Sequence, residues 1–219
     1  MIELPDFNNQ FEYENKFYQS CDSSRIGKLL SQYELFKKTI TIDGDIIECG
    51  VFKGASFARF SMFRKLHAIE NKKLIGFDAF GEFPETSFKD DLELRDEFIE
   101  IDGAEGIAVQ QLERVLKEKQ CGSNVDLIEG DICQTVPEYV KNNPNLKISF
   151  LNLDVDIYEP SNVILALLYP RISKGGVLVL DDYNEFPGET RAVDNYFKDK
   201  DVTIFESVLT PSPYYIIKN

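Results

Sequence analysis

The sequence predicts an α/β fold with a mostly parallel sheet, an antiparallel hairpin at one edge, and helices on both faces. Short apolar runs of strand length alternate with longer amphipathic stretches, which is the pattern of consecutive β-α units. Most of the first five runs are apolar throughout, as expected for strands covered on both faces. The last two runs follow each other closely, which indicates the antiparallel hairpin.

The apolar runs predict seven strands, at residues 45–49, 73–77, 125–129, 148–153, 177–180, 202–206 and 214–217. Apolar residues at three- and four-residue spacing predict helices between them. These lie at 54–70, 104–119, 135–141, 160–169 and 190–198, and a further helix at 24–39 precedes the first strand. We interpret 1–219 as one domain, with a helical and aromatic cover at 1–40.

The segment 79–103 is predicted to be irregular and is rich in phenylalanine and acidic residues. Its length is that of a lid or substrate loop. Four phenylalanines in and beside it could close over a flat ligand or pack in the core, and both readings stay open: Phe77, Phe80, Phe83 and Phe88.

Composition narrows the class of protein. The chain has 219 residues and a formal net charge of −14, without clustered lysine and arginine, so neither nucleic acid nor an anionic membrane is an expected partner. No run of eighteen apolar residues and no secretory signal is found, which predicts a cytoplasmic protein. The four cysteines are scattered and there is one histidine, so neither a disulfide framework nor a zinc site is expected.

A glycine motif follows the first predicted strand. Glu48, Gly50 and Gly54 form an ExGxxxG pattern, with Ser56 just beyond it. Glycines at such a turn let the backbone approach a ligand closely. The pattern is not GxGxxG, so a cofactor without a pyrophosphate fits better, with Glu48 beside a cationic group. A plain tight turn is the alternative.

Acidic residues also follow the second and third predicted strands. Asp78 is placed to accept hydrogen bonds from ribose hydroxyls, and Asp131, preceded by Gly130, from an adenine amino group. Capping a helix or a loop is the alternative role for each aspartate. Together with the glycine motif they outline an adenosine site.

Four aspartates follow the next two strands: Asp154 and Asp156 in LNLDVDIYEP, and Asp181 and Asp182 in VLVLDDYNEFPG. Neighbouring parallel strands lie about 4.8 Å apart, so these side chains are expected to converge. Crowded carboxylates repel one another unless a cation is present. An oxygen-only set suits Mg²⁺, with Mn²⁺ or Ca²⁺ as substitutes. The alternative is that some of them cap helices and face solvent.

In order along the chain, GDIIECGVFKGASF, LIGFDAFGEFPE, the DxDxYEP and GGxxxxDDY motifs and TRAVDNYF resemble the macrocin O-methyltransferase (TylF-like) family. The resemblance implies a seven-stranded Rossmann-like class I methyltransferase fold, S-adenosylmethionine as donor, and a sugar or sugar-nucleotide hydroxyl as acceptor. It implies Mg²⁺ held by Asp154, Asp181 and Asp182, with Asp154 also at the donor, and Asp156 as general base. Relatives often have DGD where this chain has DVD, so Val155 is expected to alter the acceptor pocket.

Three other functions remain as alternatives. The same chemistry could act on a catechol-like or other small diol, and a nicotinamide-dependent oxidoreductase is a second class. A noncatalytic binding module is a third. The sequence specifies neither the sugar nor the hydroxyl, and it leaves open whether the chain forms a homo-oligomer.

Overall fold

The computed structural model describes residues 1–219, and its seven strands form one sheet in the order β3-β2-β1-β4-β5-β7-β6. The strands are β1 (Asp45–Cys49), β2 (Leu74–Asp78), β3 (Val125–Glu129), β4 (Ile148–Leu153), β5 (Ile172–Leu180), β6 (Phe205–Glu206) and β7 (Tyr214–Ile217). The first five are parallel to one another, and β7 pairs antiparallel with β5 and β6. This confirms the predicted fold class and the antiparallel edge.

Eight α-helices surround the sheet: α1 (Gln10–Ser20), α2 (Ser23–Lys38), α3 (Ala55–Leu66), α4 (Leu92–Asp102), α5 (Val109–Glu118), α6 (Ile132–Asn142), α7 (Tyr158–Leu167) and α8 (Pro187–Phe197). Side chains cap the N-termini of two of them: Asp22 accepts from a backbone N–H of α2, and Asp131 accepts from one of α6. None of the helices combines the length and apolar character needed to cross a membrane.

The prediction that 79–103 is irregular is wrong in its second half. Residues Lys89–Asp91 form a 3₁₀ turn that leads directly into α4. Acidic residues interrupt the apolar positions throughout α4, so the helical period is weak in the sequence. Buried Arg95 steadies this segment by donating to the carbonyl oxygens of Pro84 (2.7 Å) and Phe83 (3.3 Å). Residues 79–103 are called the insertion below.

The core lies on both faces of the sheet, because each inner strand sends alternate side chains to opposite sides. On β1, for example, Ile46 packs into a cluster of 16 buried residues and Ile47 into one of 22. Phe77 and Phe80 belong to these clusters, so both pack in the core, which was one of the two alternatives for them.

The carboxyl ends of four strands are level with one another. Just past each strand, a backbone N–H donates to a carbonyl of the neighbouring strand. The pairs are Gly50 to Phe77 (2.9 Å), Gly130 to Asp78 (2.9 Å), Asp154 to Cys49 (3.0 Å) and Asp181 to Leu153 (3.0 Å). These bonds place the residues after β1, β3, β4 and β5 along one edge of the sheet.

Candidate functional site

A cavity of about 950 Å³ opens above this edge of the sheet. Its size is within the range of pockets that hold drug-sized ligands. Most of the residues predicted for the site line it: Gly50, Ser56, Asp78, Gly130, Asp131, Asp154, Asp156, Asp181 and Asp182. Glu48 and Gly54 do not line the cavity.

The turn after β1 requires glycine for steric reasons. Gly50 has φ of +87°, and a Cβ built there would lie 1.5 Å from the carbonyl oxygen of Asp154. Gly54, with φ of +81°, precedes the first residue of α3 and allows the chain to enter that helix. The glycine motif therefore brings the β1 turn against the β4 turn, where Asp154 begins the acidic segment.

Glu48 is fully buried beneath the cavity, so the prediction that it stands directly beside a cofactor is corrected to a supporting position. Its Oε1 accepts a hydrogen bond from Asn152 Nδ2 (3.0 Å), and its Oε2 has no partner. Burial raises the pKa of Glu48 to about 8. Asn152 also donates to Asp154 Oδ2 (3.4 Å) and so connects the two carboxyl groups; its place inside an apolar strand gave no functional signal.

Asp78 lines the cavity, and both of its carboxylate oxygens already accept backbone hydrogen bonds. Oδ2 accepts from the N–H of Val51 (2.6 Å) and of Phe52 (3.0 Å), and Oδ1 from that of Phe80 (2.6 Å). The side chain therefore holds the glycine turn in position. Both lone pairs of Oδ2 are therefore occupied, whereas Oδ1 keeps one lone pair that a ligand hydroxyl could use.

Asp131 caps α6, since its Oδ1 accepts from the N–H of Cys133 at 2.8 Å. The capping interpretation of this residue is therefore correct. Because Asp131 is exposed and also lines the cavity, the cap does not remove it from the site.

The acid cluster is the set Asp154, Asp156, Asp181 and Asp182. Three of these residues, Asp154, Asp181 and Asp182, each place a carboxylate oxygen within 4.8 Å of the other two. Asp181 is 1% exposed and Asp182 8%, so they do not face solvent as the alternative interpretation required. Asp181 Oδ1 and Asp182 Oδ2 are buried without a hydrogen-bond partner. Burial and the neighbouring carboxylates raise the pKa of Asp154 and of Asp182 well above the usual range.

Asp156 stands beside these three acids on a turn of unusual backbone geometry. Its φ is +61°, a conformation that few non-glycine residues adopt, and its carbonyl accepts from the N–H of Glu189 (3.1 Å). Burial, followed by the charges of Asp154 and Asp181, raises the pKa of Asp156 to about 8. A carboxylate with such a pKa is suited to accept a proton near neutral pH.

Lys28 is the only cation in contact with the acid cluster. The side chain comes from α2, and its Nζ forms an ion pair with Asp181 Oδ2. Burial lowers the pKa of Lys28, but the charges of Asp181, Asp154 and Asp182 outweigh it and raise that pKa above its usual value. Sequence reasoning missed Lys28 because a lysine on an amphipathic helix is usually at the surface.

Glu189, also missed, is fully buried behind the acid cluster. Its Oε1 accepts from the N–H of Asp182 (3.2 Å), which ties the start of α8 to the turn after β5. Burial and the four aspartates raise its pKa well above the usual range. A glutamate in the first turn of a helix has the sequence signal of a simple capping residue, which concealed this contact.

The insertion forms one wall of the cavity and is attached to both acid-bearing turns. Asp91 is fully buried, and its carboxylate accepts from the N–H groups of Tyr158 (2.9 Å) and Gly188 (2.6 Å), in the first turns of α7 and α8. Glu159 accepts from Thr86 Oγ1 (2.9 Å) and the Ser87 N–H (2.9 Å). Phe83 lines the cavity, whereas Phe88 stacks on Tyr158 with ring centroids 4.7 Å apart.

Replacing Asp91 with Ala is expected to lower the free energy of unfolding by about 3 kcal/mol. The reason is that the buried N–H of Gly188 and the partly buried N–H of Tyr158 would lose their acceptor, at about 1–3 kcal/mol each. Asp90→Ala is the matched control, because Asp90 is the exposed neighbour and surface changes usually stay within about 0.5 kcal/mol. Urea unfolding measures both, and equal values for the two variants would contradict this role.

The sheet order and an acid-rich cavity at its carboxyl edge define the class I methyltransferase fold. A calicheamicin methyltransferase, CalS11, superposes with a TM-score of 0.78 at 22% identity, covering 99% of this chain and 94% of that one. A second structure, titled apo CalS11, TDP-rhamnose 3′-O-methyltransferase, gives a TM-score of 0.71 at 22% identity, with coverages of 95% and 86%.

Sequence comparison gives the family. The macrocin-O-methyltransferase (TylF) family model matches residues 23–207, and the chain belongs to that family. Demethyldecarbamoylnovobiocin O-methyltransferase of Streptomyces niveus is 25% identical over 159 residues, 71% of this chain and 58% of that protein. A tetracenomycin-C rhamnosyl 4′-O-methyltransferase of Streptomyces olivaceus is 26% identical over 163 residues, covering 71% and 60%. The chain thus spans less than two thirds of the length of these relatives.

Proposed function

We propose that this chain is an S-adenosylmethionine-dependent O-methyltransferase that binds a divalent cation and acts on a sugar hydroxyl. The observation that carries the proposal is the meeting of Asp154, Asp181 and Asp182 within 4.8 Å, beside the glycine turn of the cavity. The family supports the reaction type. The relatives named above, whose names include a rhamnosyl and a TDP-rhamnose methyltransferase, support a sugar acceptor.

The donor is assigned to the part of the cavity above β1, β2 and β3. Gly50 and Ser56 border its amino-acid end, while Asp78 and Asp131 are free to accept from the ribose and the adenine amino group. S-adenosylmethionine, when bound, supplies an electrophilic methyl group. Residues of this chain hold the acceptor oxygen in line with it, and such positioning can supply about 7 kcal/mol or more.

The acid cluster fits a hard divalent cation. Its donors are all oxygen atoms, and two of them, Asp181 Oδ1 and Asp182 Oδ2, are buried without a partner. Asp154, Asp181 and Asp182 would hold the ion, which as a Lewis acid stabilises charge on an oxygen that loses its proton. Asp156 is the base that takes this proton, because it adjoins the three ligands and opens into the cavity.

Replacing Lys28 with Met is expected to change metal affinity and metal-free stability in opposite directions. Without the ammonium group the buried acids lose their counter-charge, so the metal-free chain should lose about 3 kcal/mol. Mg²⁺ should bind about tenfold tighter or more, since one repelling charge near the ion is gone. Calorimetric titration and thermal unfolding, each with and without Mg²⁺, measure the two effects.

Lys53→Met is the control for Lys28→Met, because Lys53 also lines the cavity but donates to the carbonyl of Asp102 rather than to the acid cluster. Weaker Mg²⁺ binding in Lys28→Met would mean that Lys28 orients Asp181 for the ion instead of competing with it.

The insertion is assigned the role of a lid over the acceptor, within one domain that includes the cover at 1–40. Its cavity-facing residues are mostly apolar or small, and two charged attachments, at Asp91 and Glu159, hold it beside the acid cluster. Val155 is buried, lines the cavity and lies between Asp154 and Asp156 in the chain, so it is assigned a part in shaping the acceptor pocket.

Calorimetric titration with S-adenosylhomocysteine, and in parallel with NAD, tests the donor. Binding of S-adenosylhomocysteine alone supports the proposal, whereas binding of NAD alone would favour an oxidoreductase. Methyl transfer from labelled S-adenosylmethionine to a panel of nucleotide-linked sugars, glycosides and catechols then tests the acceptor. Transfer to catechols but not to sugars would favour the diol alternative.

A further inference from the structure

Four cationic side chains line the cavity, and two of them lack any partner. Lys28 is paired with Asp181, and Lys53 donates to the Asp102 carbonyl. Arg25, in the first turn of α2, and Arg59, in the second turn of α3, form no side-chain hydrogen bond and no ion pair, although both line the cavity. Arg25 is exposed and can be solvated by water, but in a chain of net charge −14 the partly buried and unpaired Arg59 calls for an explanation.

Arg59 is the more deeply placed of the two. Its Nε is buried and has no hydrogen-bond partner. A buried donor without a partner costs about 1–3 kcal/mol, more when the group is charged, so a donor of this kind inside a cavity is a candidate contact for a ligand. Acids lie in its vicinity, but none approaches within the 4.0 Å of an ion pair.

Arg25 adds a like charge to the same wall of the cavity. The two guanidinium groups come from different helices, and burial together with the charge of Arg25 lowers the pKa of Arg59, while Glu48, Asp181 and Asp154 oppose that shift. Two neighbouring guanidinium groups repel each other unless an anion lies between them. Their planar donor pairs match the oxygen atoms of a carboxylate or a phosphate.

We propose that Arg59, assisted by Arg25, binds an anionic oxygen group of a ligand in this cavity. The inference rests on the proposed function, which offers two sources for such a group. One is the carboxylate of the donor's amino-acid end, beside Gly50 and Ser56 on the same wall. The other is the phosphate of a nucleotide-linked sugar acceptor. In either case the site selects its ligand by charge.

Two matched pairs of probes distinguish the sources. S-adenosylhomocysteine and 5′-methylthioadenosine share adenosine and a thioether, but only the first has the carboxylate. Thymidine diphosphate and thymidine differ only in the phosphates. Calorimetric titration of each probe into the wild-type chain, Arg59→Met and Arg25→Met gives the affinities. Arg191→Met is the control, since Arg191 is exposed and outside the cavity.

If the donor supplies the anion, Arg59→Met should weaken S-adenosylhomocysteine binding tenfold or more and leave 5′-methylthioadenosine unchanged. If the acceptor supplies it, the same variant should weaken thymidine diphosphate binding tenfold or more and leave thymidine and S-adenosylhomocysteine unchanged. Arg25→Met should show a smaller loss for the same probe. Arg59→Lys keeps the charge but loses the planar pair of N–H donors, so its affinity for that probe should lie between those of the wild-type chain and Arg59→Met. It replaces Arg59→Met in the test if that variant does not fold.

Unchanged affinity for both anionic probes in the Arg59 variants would overturn the inference. Equal weakening of 5′-methylthioadenosine and S-adenosylhomocysteine would also overturn it, because the loss would not depend on the anion. Failure of the proposed function looks different, since the wild-type chain would then bind neither S-adenosylhomocysteine nor 5′-methylthioadenosine.

Discussion

Asp181→Asn is expected to reduce methyl transfer about 1000-fold or more while the affinity for S-adenosylhomocysteine changes by less than about threefold. The metal is expected to stabilise developing charge by several kcal/mol, and about 4 kcal/mol corresponds to a 1000-fold rate change. Donor contacts are expected to persist, because they involve the turns after β1, β2 and β3 rather than the turn after β5. Initial rates with saturating donor, together with calorimetric titration of Mg²⁺ and of S-adenosylhomocysteine, measure the three quantities.

Two further variants make this result specific. Asp181 also pairs with Lys28, so Asp182→Asn, which removes a metal oxygen without touching that ion pair, should show the same separation of rate from donor affinity. Asp102→Asn changes an acid of the insertion that lines the cavity away from the acid cluster, and it should retain Mg²⁺ binding. A parallel loss of turnover and donor affinity in Asp181→Asn would contradict the division of roles.

Asp156→Asn is expected to lower kcat about 100- to 10,000-fold, the range for loss of a general base. Asparagine keeps the shape of the side chain but cannot accept the proton. Binding of Mg²⁺ and of S-adenosylhomocysteine should persist, since Asp156 is not among the three proposed ligands. If Mg²⁺ affinity falls as far as kcat does, Asp156 instead serves to hold the ion.

The pH profile gives an independent test of the base. Asp156 must be ionised to act, so kcat is lost as the pH falls through its pKa. Burial and the neighbouring carboxylates raise that pKa to about 8 in the metal-free chain, and a bound cation lowers it. At saturating Mg²⁺, the fall of kcat towards low pH should therefore have its midpoint below pH 8. The residual activity of Asp156→Asn should show no such fall. A limb that persists unchanged in the variant would assign the ionisation to another group.

Much of the fold could be predicted because the pattern of apolar residues that indicates each strand or helix is local in the sequence. The strands at 45–49, 125–129, 148–153 and 214–217 have the predicted bounds, since each is a short apolar run bordered by turn residues. Helix α4 could not be predicted in the same way, because its acidic residues obscure the period. The edge strand β6 is shorter than predicted, since its two residues are exposed and only β7 supports them.

Site residues that directly follow a strand could be predicted from the sequence. Contacts between residues that are far apart in the sequence could not. Asp154, Asp181 and Asp182 follow neighbouring parallel strands, so topology alone predicts that they converge. Lys28 reaches Asp181 across 153 positions, and Asp91 reaches Gly188 across 97, so neither contact has a local signal. The sequence pattern predicts a position for Glu48 that is too near the cofactor, because the last residues of a strand face either the cavity or the core depending on register.

Carboxylates from the ends of β4 and β5 are proposed to hold one divalent cation beside the donor. Crystals grown with S-adenosylhomocysteine and Mn²⁺, measured at a wavelength where manganese scatters anomalously, test it directly. We expect one anomalous peak in contact with Asp154, Asp181 and Asp182, adjoining the sulfur of the bound ligand. If no peak appears at the acid cluster at saturating Mn²⁺, and Lys28 still pairs with Asp181, the proposed metal site is contradicted.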